Sequence, residues 1–311
     1  MSQRIAIIGA GGVGGLLAAM LARAGQDVRL LARGAALTAI RAHGVRLHEP
    51  EGSSVVPLAK VTDEPAELGV ADLVLVAIKT WQLAELGPRL QPVVGDQTLV
   101  IPTQNGVEAS EILGRALGDE RVAGGVAHMI SRTDGPGEVR WFGPQPTLRI
   151  GARSSGQRDG IAAAAETLRS GKIHVVVADD IEQERWIKFL SISAYAAVGA
   201  IARVPVGELR SRPEARARLE ATMRETAALA AARGVTLPAD VVEDAMRRLD
   251  ALPASATASM HRNIVAGQPS ELHELIGAVV RLGRESGVPT PVSAALYAEL
   301  APLEAAARAR A

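Results

Sequence analysis

The sequence predicts an α/β chain of two domains, a parallel-sheet domain followed by an all-helical one, and three observations carry that prediction. From Ile5 to about Val177, short apolar runs (IAII, VRLLA, ADLVLVAI, QTLVIPTQN, RVAGGVAHMI, KIHVVVA) alternate with longer helical patterns, the rhythm of a parallel sheet with crossover helices. The first of these runs leads straight into a glycine-rich turn, IGAGGVGG, that opens a helical pattern. After Asp179 the strand signals nearly vanish and helical periodicity takes over. The expected domains are therefore residues 1–179 and 180–311, in a chain longer than one hydrophobic core usually fills.

Taken in order, the strands of the first domain are almost wholly apolar, as expected where helices cover both faces of a sheet. Two pieces interrupt the rhythm. Gly44 to Leu58 reads as a short hairpin excursion, and from Gly135 to Ile150 glycine and proline punctuate apparent antiparallel strands. The second domain reads as helices over IEQERWIKFLSISAYAAVGAIA, EARARLEATMRETAALAAARG, ADVVEDAMRRLDAL and ELHELIGAVVRLGRESG. The closing EAAARARA reads as a solvated helix end. No low-complexity linker or solenoid repeat separates the halves, so a packed face between them is expected, with the cleft there as the default ligand site. The apolar helices of the second domain are compatible with a homodimer.

Composition narrows the function. Lys+Arg number 34 against Asp+Glu 34, so no global field attracts nucleic acid or an anionic membrane, and a small-molecule partner is favoured. The chain has no cysteine, which removes disulfides, thiolate metal sites and cysteine nucleophiles. The N-terminal apolar run is broken by glycines where a signal peptide needs continuity, and no stretch of roughly twenty apolar residues occurs. A cytoplasmic protein is the expectation.

Gly9, Gly11 and Gly14 form G-x-G-x-x-G directly after a strand and at a helix start. In that frame the glycines allow the tight turn, the approach of backbone to a pyrophosphate and close helix packing, while the helix N-terminus stabilises phosphate charge. This is the fingerprint of a Rossmann dinucleotide-binding domain, with Gly12 and Val13 completing the loop. NAD binders usually end their second strand with an acidic residue. Here VRLLA leads into Arg33, whose guanidinium offers bidentate geometry to a 2′-phosphate, so NADPH is the expected cofactor. Lys79, followed by Thr80, Trp81 and Gln82, and Asn105, followed by Gly106, stand at two further strand ends, where open α/β sheets bind ligands.

In order and spacing, GAGGVG, AIKTWQ, QNGVE, WIKFL, PVGEL and SMHRNIVAGQPSEL resemble the ketopantoate reductase family along nearly the whole chain. The resemblance implies a Rossmann domain, a helical domain like that of 6-phosphogluconate dehydrogenase, and NADPH-dependent reduction of a 2-oxo acid to a 2-hydroxy acid. It implies that Lys188 is the catalytic lysine, Glu271 the carboxylate beside it, Ser259 a ligand of the substrate carboxylate, Asn105 a residue near nicotinamide and substrate, and Lys79 and Arg33 cofactor contacts. The chemistry agrees, because a ketone receiving hydride develops alkoxide charge and needs a proton donor and a cation beside it. A carboxylate such as Glu271 keeps a lysine protonated against the desolvation that lowers its pKa. Without the resemblance, Lys188 reads as a helix-surface lysine and Glu271 as a helix-start carboxylate.

Pantoate-making members of the family carry asparagines where this chain has Ile192, Ala196 and Val206. Their replacement predicts a more apolar pocket and leaves two substrate readings open, ketopantoate or a more apolar 2-oxo acid or carbonyl compound. Ser191 and Ser193 stand nearby but are rotated away on a helix, and Tyr195 reads as a core aromatic that could also line the pocket. A non-catalytic NADPH sensor and a 2-hydroxy acid dehydrogenase working toward oxidation are the remaining alternatives. His128 reads as structural, His261 and His273 lack the spacing of a helical metal pair, and no metal is expected. Trp81 and Trp186 read as packing residues.

Overall fold

The computed structural model describes residues 3–310. They form two compact units: one runs to Gln104 and resumes over Glu108–Ile181, and the other comprises Asn105–Val107 and the described chain from Glu182 onward. Nothing local to Asn105–Val107 marks it as belonging with the helices.

Twelve strands build the first unit: β1 (Arg4–Ile8), β2 (Asp27–Leu31), β3 (Val45–Glu49), β4 (Gly52–Val56), β5 (Lys60–Thr62), β6 (Ala71–Val76), β7 (Val94–Pro102), β8 (Gly124–His128), β9 (Ser131–Gly135), β10 (Glu138–Trp141), β11 (Thr147–Gly151) and β12 (His174–Val177). Its helices are α1 (Gly12–Arg23), α2 (Gly34–His43), α3 (Leu83–Leu86), α4 (Ala109–Leu117) and α5 (Arg158–Ser170). The main sheet is parallel in the order β5-β2-β1-β6-β7, so the strand order reverses beside β1, the crevice position at which such sheets take ligands. Ile5 and Ile7 of β1 and Leu16, Leu17 and Leu21 of α1 are completely buried. Each such side chain contributes about 1.5–3 kcal/mol, enough to fix α1 and its glycine turn against the sheet.

The strand rhythm over-extended the parallel sheet. RVAGGVAHMI supplies β8, which runs antiparallel to β11 in a separate three-stranded sheet, β12-β11-β8. A single parallel bridge from Val100 to Val122 links its approach to β7. The two interruptions come together: β3 and β4 form the hairpin, β9 and β10 form another, and β3 pairs with β10 to make a sheet of order β4-β3-β10-β9.

The second unit is helical: α6 (Ile181–Ala202), α7 (Val206–Leu209), α8 (Pro213–Ala232), α9 (Val241–Asp250), α10 (Ser259–Val265), α11 (Ile276–Glu285) and α12 (Pro291–Arg308). Its core gathers Phe189, Leu190, Leu219, Met223, Leu272, Ile276 and Leu296, with Trp186 edge-on to Phe189 at 5.5 Å. The run read as a helix from Glu271 begins instead with turns, and α11 starts only at Ile276. Leu275, at φ −105° and ψ −98°, breaks the helical path between them. Among the described residues no helix is long and apolar enough to cross a membrane.

Candidate active site

The glycine turn is built by steric exclusion. A Cβ on Gly14 would lie 1.9 Å from the carbonyl oxygen of Gly9, and one on Gly9, at φ +111°, would lie 2.8 Å from Ile78 Cγ2, so the turn is pressed against the end of β6, just before Lys79. Gly9 N–H donates to the Leu31 carbonyl at 3.0 Å, which fastens the same turn to the end of β2, just before Arg33. Gly11, by contrast, faces open space: a Cβ there would meet nothing within 4 Å. That opening beside the N-terminus of α1 is the space a pyrophosphate needs. Gly12 has a packing reason of its own, since its Cβ would lie 3.0 Å from the backbone of Ser131 and Arg132; the second sheet closes on α1 there.

Arg33 caps α2 with extended backbone and is exposed, and its guanidinium has no partner among the described residues. Lys79 is half-buried; its backbone N–H donates to Gln82 Oε1 at 3.1 Å, and its ammonium lies 5.8 Å from the centre of the Trp81 ring. Gln104, buried and unremarked in the sequence, donates through its amide to the carbonyls of Val76 and Ile78 at 3.0 and 2.9 Å, locking the ends of β6 and β7 together. Its Oε1 and the hydroxyl of buried Thr80 are left without hydrogen bonds.

In the helical unit, Lys188 lies on α6 and is half-buried, not the surface lysine its position suggests. Desolvation pushes its pKa down to about 8, with the charge of Glu271 opposing the shift. Glu271 is 5% exposed, so the pair combines a buried carboxylate with an ammonium whose proton is held loosely.

Arg185, one turn before Lys188 and 3% exposed, donates to the carbonyl of Val107 and, at 2.6 Å, to Glu182. Gly106, at φ +94°, packs so closely on the chain after Glu271 that a Cβ would lie 3.0 Å from the carbonyl oxygen of Glu274. The Asn105–Val107 segment is thus held between the element carrying Lys188 and the segment carrying Glu271. Ser259 is the first residue of α10 and half-buried.

The chain ahead of Glu271 is anchored from the far end. Ser270 donates its backbone N–H to both Glu304 oxygens at 3.0 and 3.1 Å and its hydroxyl to Oε2 at 2.5 Å, and Arg308 bridges Glu304 at 2.7 Å and the Ser270 carbonyl at 3.0 Å. Glu304 is 1% exposed, so the terminal EAAARARA is not merely a solvated helix end. Glu274 leaves Oε2 buried and unpaired, and desolvation pushes its pKa up to about 6. His128 is exposed, whereas His261 is buried. Among the described residues no group of three or more acidic, histidine or cysteine side chains could hold a metal ion.

Residues 5–155 match the family model described as ketopantoate reductase PanE/ApbA, and residues 180–304 match its C-terminal counterpart. The chain is 29% identical to a 2-dehydropantoate 2-reductase of Mesorhizobium japonicum, over 95% of this chain and 96% of that one. The crystal structure of a PanE/ApbA family ketopantoate reductase from Ralstonia eutropha superposes with a TM-score of 0.88 at 32% identity, over 98% of this chain and 99% of the other. The fold alone is shared with D-mandelate dehydrogenase in a ternary structure with NADH and anilino(oxo)acetate, at a TM-score of 0.90 and 22% identity over 98% of this chain and 99% of that one. On the two matched models, which together span most of its length, the chain belongs to the ketopantoate reductase family of oxidoreductases.

Proposed function

We propose that the protein reduces the C2 carbonyl of a 2-oxo acid to a 2-hydroxy acid with NADPH, in the manner of a 2-dehydropantoate 2-reductase. The observation that carries the reading is the pairing of Lys188 with Glu271: a lysine with a pKa near 8 and a buried carboxylate beside it. Such a lysine is still largely protonated at neutral pH yet releases its proton far more readily than an exposed one, which is what a general acid requires.

The residues present fit a nicotinamide dinucleotide. Gly9 and Gly14 shape the turn, Gly11 leaves the opening beside the helix N-terminus, and Gly12 and Val13 are the first residues of α1 there. The unpartnered, exposed Arg33 follows β2, where a 2′-phosphate would be met, and it supports NADPH over NADH. Lys79 supplies a second cation at a strand end. When bound, the cofactor supplies the hydride that adds to the carbonyl carbon.

The chain's own residues do the rest. Lys188 Nζ–H hydrogen-bonds the carbonyl oxygen, stabilises the negative charge that develops there, and delivers its proton to it. Glu271 orients the ammonium and favours its charged form. Ser259 donates to the substrate carboxylate, and Asn105 holds nicotinamide and substrate in register. The test is loss of NADPH absorbance with a panel of 2-oxo acids, repeated with NADH. Turnover of at least one acid, with NADPH preferred, is expected; tight NADPH binding without turnover of any acid contradicts the reading and favours a sensor.

The substrate is a small molecule. The apolar side chains of Ile192, Ala196 and Val206, of which Ala196 and Val206 are fully buried, favour a pocket with fewer amide hydrogen bonds than pantoate-making enzymes use. That supports a second reading, in which the acid reduced is bulkier or more apolar than ketopantoate.

A further inference from the structure

Glu271 sits in a turn that α12 grips on both sides. Ahead of it, every hydrogen-bonding group of Ser270 is spent on that helix: the backbone N–H and the hydroxyl on Glu304, the carbonyl on Arg308. Behind it, the Tyr297 hydroxyl lies within hydrogen-bond distance of His273 Nδ1, at 2.8 Å, and a Cβ on Gly277 would lie 2.9 Å from the Tyr297 ring. Tyr297, Glu304 and Arg308 stand at i, i+7 and i+11 of α12, one face of a helix with about 3.6 residues per turn.

The turn between these grips is closed. Leu275 N–H donates to the Glu271 carbonyl at 3.0 Å and Gly277 N–H to that of Leu272 at 2.9 Å. A closed turn moves as one piece, so whatever holds Ser270 also fixes the direction in which the Glu271 side chain leaves the backbone. The helix that does the holding is itself pinned: Glu225 of α8 accepts from the N–H of Val292, the N–H of Ser293 and the Ser293 hydroxyl at 2.7, 2.8 and 2.6 Å.

Glu304 is an expensive way to hold a serine. It is 1% exposed, and taking a carboxylate out of water costs several kcal/mol, so a well-packed apolar residue in its place would often be no less stable. What the carboxylate secures, and an apolar side chain would not, is a single position for the Ser270 N–H and hydroxyl. The charged and titratable groups around the turn are Glu271, His273 and Glu274 on the turn itself, Glu304 and Arg308 of α12, Arg281 of α11 and Lys188 of α6. Among them, Glu271 opposes the desolvation of Lys188, and an effect that weakens with distance depends on where that carboxylate is held.

We infer that Glu304 is a positioning residue for the reduction: from α12 it fixes Ser270, and thereby holds the Glu271 carboxylate close enough to Lys188 to keep the lysine charged and aimed. The inference rests on the reading of Lys188 as the proton donor, and adds the distant residue on which that donor's charge depends.

The chain has four lysines, Lys60, Lys79, Lys172 and Lys188, so the titration of Lys188 can be followed directly by NMR of protein labelled with 13C at lysine Cε, its signal assigned by its loss in Lys188→Ala. In Glu304→Gln the Lys188 midpoint should fall by about 1 pH unit, part of the roughly 1–3 that a neighbouring opposite charge supplies. At the same time kcat at neutral pH should fall by about 10–100-fold, with NADPH affinity unchanged. Ser270→Ala keeps every charge and loses one hydrogen bond. Its Lys188 midpoint should fall by less, in the same direction, which separates positioning from the charge of Glu304 itself and decides the matter if Glu304→Gln does not fold. Met246→Ala, which opens the helical core at α9, should lose stability and leave the midpoint in place. A midpoint that stays put in folded Glu304→Gln or in Ser270→Ala, or that moves as far in Met246→Ala, overturns the inference while leaving the reaction reading intact. The NMR titration needs no substrate, so a wild type that reduces no 2-oxo acid is a separate result: it removes the reading of the reaction, and the inference with it.

Discussion

Arg185 donates a hydrogen bond to the carbonyl oxygen of Val107, a contact that ties the segment carrying Asn105 to the helix carrying Lys188. Arg185 is 3% exposed and is also bonded to Glu182. Arg185→Met should leave the Val107 carbonyl unsatisfied and let Asn105 drift. The expected result is a fall in kcat of about 10–100-fold, the size of a lost or misplaced orienting contact, with a much smaller change in KM for NADPH. Steady-state kinetics on the folded variant checks it; an unchanged kcat would mean that Asn105 needs no such tether.

The pH dependence follows from Lys188. Its pKa is lowered to about 8 by desolvation, with Glu271 pulling it back up. A proton donor works while protonated, so reductive kcat/KM should be level below that value and fall as pH rises through it. Glu271→Gln removes the opposing charge and should move the alkaline fall to lower pH. A pH–rate series on the two proteins measures this, and a limb that stays in place or moves upward would refute the electrostatic role given to Glu271.

The glycines of the turn separate fold from function. Gly14→Ala would place a Cβ 1.9 Å from the Gly9 carbonyl oxygen, so the variant should be strongly destabilised or insoluble. Gly11→Ala meets nothing within 4 Å and should melt like the wild type. It fills the space beside the helix N-terminus, however, and NADPH affinity should fall by at least tenfold. Thermal melts with and without NADPH distinguish the two.

Arg33 has no partner to lose, so Arg33→Ala should leave stability unchanged. Loss of a charge-assisted contact to the 2′-phosphate, worth about 1.5–3 kcal/mol, should raise KM for NADPH by about 10–100-fold and leave NADH use nearly untouched. An equal effect on both cofactors would place the 2′-phosphate elsewhere.

At the other end of the chain, Glu304 receives both the N–H and the hydroxyl of Ser270. Glu304→Ala orphans these donors and removes one of the partners of Arg308, and should cost about 1–3 kcal/mol of stability in a denaturant titration. A stability equal to wild type would show that the Glu271 segment holds its shape unaided.

The glycine turn, the apolar strands of the main sheet and the helix Ile181–Ala202 were legible because each is written in a contiguous stretch with a strong period or a required conformation. The pairing of Val45–Glu49 with Glu138–Trp141 was not, because nothing local to either strand specifies a partner some ninety residues away. Nor was the burial of Glu304, whose alanine-rich surroundings read as solvated; only its contact with Ser270 explains it. Lys188 and Glu271 were selected by resemblance, since their individual positions look ordinary and their pairing is a product of tertiary structure. Arg185 and Gln104 are not legible there, because their work, holding backbone carbonyls, leaves no pattern in sequence.

The central claim is that Lys188 delivers the proton to the substrate oxygen, and the most direct measurement is NADPH consumption with the best 2-oxo acid by the wild type and by Lys188→Ala, with NADPH binding measured in parallel. The account predicts that the variant binds NADPH as the wild type does while kcat falls by about 10²–10⁴-fold. A variant that retains wild-type turnover would contradict it.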